Sequence, residues 1–165
     1  MENCGYFSGE VRFKIRAAAV FAPAYTSSYF NNIADIGSLY LDYVFNYFEN
    51  EPIIFTCISQ YGKLYLCLCS EIRKEQKWII SPCDIFIIKK LIDKEIDIFH
   101  ALSNYNKVIL VVLAQDGSER SEWIDVNEIN EFDLPEKNCF LKCDSKEASA
   151  YLKKLKNTIF LPCDK

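Results

Sequence analysis

Apolar and polar positions follow several different rhythms along this chain, and each rhythm predicts an element. Residues 11–16, VRFKIR, alternate apolar and basic side chains at the period of a half-buried strand, with Val11, Phe13 and Ile15 on one face and Arg12, Lys14 and Arg16 on the other. Residues 22–32 carry Pro23, TSS and NN and read as a connecting loop. A boundary is therefore expected there, between an N-terminal strand-and-loop extension (1–32) and a single α+β domain (33–165) that together form one compact unit. From Gly37 to Asp84, aromatic and branched segments are separated by polar breaks. SLYLDYVFNYF (38–48), IIFTCISQ (53–60), KLYLCLCSEI (63–72) and KWIIS (77–81) predict four consecutive antiparallel strands. Gly62 is placed for a positive φ in a tight hairpin, which would set Cys57 opposite Cys67 or Leu66.

After SPCD the period changes. Ser81 or Asp84 can cap a helix with Pro82 in its first turn, Ile85, Ile88, Leu91 and Ile92 recur at helical spacing, and Asp93, Lys94 and Glu95 end it. DIFHAL (97–102) adds a helical turn, and KVILVVLAQ (107–115) reads as a fully buried strand. DGSERS then turns the chain into EWIDVNEI (122–129), an alternating strand with Trp123 and either Ile124 or Val126 on the core side. Near the end, Asp144 and Glu147 have capping-box spacing, and Ala148, Tyr151, Leu152 and Leu155 form the stripe of an amphipathic helix. TIFLPC (158–163) suits a last edge strand. The sum is an α+β fold: a mainly antiparallel sheet, built as a four-strand meander plus a further hairpin, packed with two to three helices.

Composition narrows the function classes. Half the residues are apolar, enough for a real core in 165 residues. A net charge of −4 recommends neither nucleic acid nor an anionic membrane as partner. The apolar stretch 17–30 is broken by Pro23, so it fits a signal peptide poorly, and no run is long enough for a membrane-spanning helix. Most of the eight cysteines sit inside apolar segments, where a thiol acts as a small hydrophobe, so a cytoplasmic protein with reduced thiols is expected.

The central block carries a resemblance. YFENEPIIFTCISQYGKLYLCLCSE, then KWIISPCD, then LIDKEIDIFHAL resemble a family of uncharacterised bacterial domains over roughly residues 38–103. The shared features are a strand ending before an acidic-Pro turn, an F-x-C strand, a Gly hairpin, a W-x-x-x-P strand and a helix leading into an acidic-I-x-I element. Cys83 stands where that pattern has a branched aliphatic, and Lys94 where it has Gly. The resemblance implies a bacterial or phage origin and a compact β-rich fold, and it brings no catalytic residues.

Candidate chemistry is sparse. There is no C-x-x-C, so Cys57, Cys67 and Cys69, like Cys139 and Cys143, read as core filler rather than metal ligands. No metal or cofactor is expected. His100 is the only histidine, so any nucleophile–base pair would have to use it. No phosphate loop, dinucleotide fingerprint or nucleophile elbow occurs, and the sequence leans against an enzyme. The acidic stretch 122–136 lacks calcium-loop spacing and reads as a solvated surface. Two function classes remain. In the first, Tyr25, Tyr29, Phe30, Tyr40, Tyr43, Tyr47 and Phe48 anchor a non-enzymatic protein–protein interaction module, against the rival that they simply fill the core. Its setting would be a bacterial or phage defence, immunity or counter-defence system, its partner another protein, with self-association left open. In the second, Arg12, Lys14 and Arg16 on one strand face, about 7 Å apart, bind a small ligand or nucleotide beside His100, with weak hydrolase activity.

Overall fold

The computed structural model describes residues 27–72 and 74–157. The expected strands at 11–16 and 158–163 lie outside these residues. Seven strands form one sheet in sequence order: β1 (Phe30–Ile33), β2 (Gly37–Phe48), β3 (Glu51–Ser59), β4 (Leu64–Glu71), β5 (Gln76–Cys83), β6 (Lys107–Leu113) and β7 (Glu119–Asp125). Every neighbouring pair is antiparallel. The expected four-strand meander is thus part of a longer one. Helices α1 (Ile85–Ile92) and α2 (Ile98–Leu102) lie between β5 and β6, and α3 (Ser145–Asn157) follows β7.

The sheet curls until its edges approach: the Ala34 N–H, just past β1, donates to Ser121 Oγ of β7 at 3.0 Å. Inside the curl, the Phe30 ring meets Trp78 of β5 edge-on at 5.2 Å and stacks on Phe55 of β3 at 6.3 Å. Cross-strand registers put Cys57, Cys67 and Cys69 on the same inner face. The alternate residues of β3 and β4 turn outward to the helices, so both strands are buried on both faces and lose the polar-out alternation of a solvated sheet. Thr56, for example, contacts Tyr151 of α3.

Four expectations need correction. The loop expected at 22–32 gives way to β1, whose Phe30 and Ile33 are buried while Asn31 and Asn32 face out. Two polar residues at outward positions disguise a short strand. The β3–β4 hairpin pairs Cys57 with Tyr65, not Cys67 or Leu66. Ser59 N–H donates to Lys63 O and Gly62 N–H to Ser59 O, so Gly62 is the third residue of a three-residue loop, at φ 84°, rather than part of a two-residue turn. Ser59 Oγ accepts from both the Tyr61 and Lys63 N–H groups at 3.1 Å and fixes that choice. Pro82 lies in β5 opposite Tyr65, past Ile80 where the β6 pairing stops, and α1 starts only after Asp84, whose carboxylate accepts from Ile87 N–H. Finally, the last alternating strand is shifted to Glu119–Asp125 and continues into a one-turn 3-10 helix, Val126–Glu128.

Candidate interaction surface

Of the aromatics expected as anchors, Tyr25 lies outside the described residues, and so do Arg12, Lys14 and Arg16. Tyr29 and Phe30 are core residues at 3% and 0% exposure and cannot meet a partner. Tyr29 OH donates to the buried Glu51 carboxylate at 3.2 Å, and burial first, then that negative charge, drives its phenol well above the usual tyrosine range. Tyr40, Tyr43 and Phe48 are half-buried, and Tyr43 stacks on Tyr151 at 4.3 Å. Only Tyr47, on β2, is largely exposed. Core filling therefore explains the first members of the set.

Other exposed aromatics lie elsewhere. Tyr61 is 74% exposed on the β3–β4 loop and Phe86 is 72% exposed on the first turn of α1; Tyr105, between α2 and β6, is also exposed. Topology brings them to one end of the sheet, because Leu64, at the start of β4, pairs with Cys83, at the end of β5. Tyr105 sits against the β5–α1 junction: burial raises its phenol, and the Asp84 carboxylate and Cys83 thiol add to the effect. Sequence periodicity carried a signal for Phe86, since the stripe Ile88, Leu91 and Ile92 leaves position 86 on the opposite side. A turn residue beside Gly62 likewise signals exposure for Tyr61.

His100 occupies a second feature. Asp97, only 4% exposed, caps α2 by accepting from His100 N–H at 2.7 Å, and its other oxygen accepts from Asn138 N–H at 2.6 Å. The same carboxylate lies 2.6 Å from His100 Nδ1. Burial works against ionisation of Asp97, but the Asn138 and His100 hydrogen bonds and the imidazole outweigh it and hold the carboxyl below its usual range. An ionised acceptor fixes the proton on Nδ1 and leaves Nε2 as the free nitrogen of a half-exposed ring. That arrangement can relay a proton, but among the described residues no hydroxyl or thiol hydrogen-bonds to Nε2. D-x-x-H at a helix start was a readable signal for this pair.

No protein-family model matches the chain, and neither a curated protein nor a solved structure is detectably similar to it. Its site must be judged on its own geometry. Cys57, Cys67 and Cys69 are free and fully buried. Burial pushes the Cys67 and Cys69 thiols up, and the neighbouring Cys57 thiol adds to the effect at Cys67. Cys139, in contrast, is held in a disulfide, which departs from the expectation that every thiol is reduced. Among the described residues no group of three or more His, Cys, Asp or Glu is arranged around a metal position, and no helix is long and apolar enough to cross a membrane.

Proposed function

We propose that the chain is a non-enzymatic protein-binding module, docking another protein through the aromatic end of its sheet, in a bacterial or phage defence, immunity or counter-defence setting. The supporting observation is the gathering of Tyr61, Phe86 and Tyr105 where the β3–β4, β5–α1 and α2–β6 connections meet. Large, rigid aromatics at such a surface contribute much contact area at little entropic cost, which is the chemistry of interface anchors. The test compares wild type, the triple variant Tyr61→Ser/Phe86→Ser/Tyr105→Ser and the control Tyr47→Ser, which lies at the opposite end of the sheet, in capture of a stoichiometric partner read by native mass spectrometry. Wild type and the control should hold the same partner, and the triple variant should lose it with an unchanged melting temperature. Equal capture by all three would refute the assignment of this surface.

A further inference from the structure

Among the described residues, no strand besides β6 forms a ladder with β7. Val126 N–H donates to Asn106 O at 2.9 Å and Ala114 N–H to Ser118 O at 2.8 Å, so the even-numbered residues of β7 make the hydrogen-bonded pairs with β6. The N–H and C=O groups of Ser121, Trp123 and Asp125 therefore point away from β6, and among the described residues no backbone group meets them. β1 approaches without forming a ladder; its link to β7 is from Ala34 N–H to the Ser121 side chain. Ser121, Trp123 and Asp125 are each half-buried.

The charge beside this edge is one-sided. Between Glu119 and Glu136 the chain carries Glu119, Glu122, Asp125, Glu128, Glu131, Asp133 and Glu136 against the single cation Arg120. Asp125 is 3.8 Å from Lys107 and Asp133 is 3.4 Å from Lys77, while Glu122, Glu128, Glu131 and Glu136 stay exposed. Phe132, within this stretch, is 86% exposed and adds an apolar contact. Acidic side chains on an edge repel another acidic strand, which disfavours a second copy of β7 as occupant. They favour a strand whose side chains are basic.

We infer that β7 takes up an extended basic segment of a partner protein by strand addition, main-chain hydrogen bonds to Ser121, Trp123 and Asp125 supplying the affinity and the surrounding carboxylates the choice of partner. This rests on the reading of the chain as a protein-binding module but uses a surface other than the aromatic end. The experiment titrates the full chain with a capped octapeptide alternating Arg and Val, following amide hydrogen exchange by NMR, beside a Glu–Val peptide and an Arg–Val peptide N-methylated at alternate residues. The Arg–Val peptide should slow exchange at Ser121, Trp123 and Asp125, the other two should not, and Glu122→Lys/Glu128→Lys should weaken binding about tenfold at low salt. Absence of binding, equal binding of the N-methylated or Glu–Val peptide, or protection of these amides in the chain alone at any concentration would each overturn the inference. Because the triple aromatic variant should still bind this peptide, failure here and failure of the aromatic surface are distinguishable.

Discussion

Replacing Tyr151 by Phe removes one oxygen from a junction that ties α3 to two strands. Tyr151 OH donates to Asp42 Oδ2 at 2.5 Å and lies 2.8 Å from Thr56 Oγ1; with its own proton given to Asp42, it accepts from Thr56. The Phe ring would keep the stack on Tyr43, so the change isolates the hydroxyl. Thr56 is fully buried and would lose its partner, whereas Asp42 keeps Lys154 at 3.5 Å and can recruit water. A lost charge-assisted bond and an orphaned buried hydroxyl together cost about 2–4 kcal/mol. At this chain length that corresponds to a fall in Tm of roughly 5–15 °C. Thr56→Val alone leaves Tyr151 bonded to Asp42 and should cost about 1 kcal/mol. The double variant should then be more stable than the sum of the singles predicts by about 1 kcal/mol, because no hydroxyl is left orphaned. Urea unfolding of the four proteins measures this coupling. Additive effects, or a Tyr151→Phe cost below about 0.5 kcal/mol, would refute the junction as a load on the fold.

The remaining predictions concern protons and thiols. Asp97 has a lowered pKa in the folded state, so its contribution is complete above the unfolded carboxyl value of about 3.9 and is lost as the pH falls through the folded value. Between about pH 5 and pH 2, wild type should therefore lose stability more steeply than Asp97→Asn in urea titrations; parallel curves would contradict the hydrogen-bond assignment. Among the described thiols, labelling of the native protein at mildly alkaline pH should modify the partly exposed Cys143 first, while Cys57, Cys67 and Cys69 react only on unfolding. Native labelling of Cys57 as fast as Cys143 would show that the inner face is open.

How much of this was legible depended on the range of the interaction that decides each feature. Strands β2 to β6 and helices α1 and α3 were readable because their boundaries are set locally, by polar turns, by Asp84 as a helix cap and by Asp144, which accepts from the N–H groups of Lys146 and Glu147. β1 was not, since FNNI has no periodicity long enough to read and Phe30 is inward only because Trp78, far along the chain, waits there. The hairpin register turned on Ser59 Oγ, a side chain whose competition for the turn amides leaves no mark in an apolar pattern. Which aromatics are exposed was hidden for the same reason: Phe30 and Phe132 are one residue type, at 0% and 86% exposure, and only packing separates them. Cys57, Cys67 and Cys69 are buried on one face of β3 and β4, the face that strand alternation gives Cys67 and Cys69 in common.

The sheet order, which follows the sequence without a crossover, also dictates when the protein can finish folding. Each strand finds its neighbour through a local loop closure, so the ladder can grow as the chain leaves the ribosome, at little entropic cost per step. Long-range contacts escape that schedule, among them Ala34 with Ser121, Asn46 with Lys142, and Tyr151 with Asp42 and Thr56. Until α3 has been synthesised, the outer face of β3 lacks the Tyr151 contact that buries Thr56. A nascent chain stopped before Ser145 is consequently a formed sheet with an exposed apolar flank, the stage at which this protein is most exposed to aggregation and most in need of a chaperone.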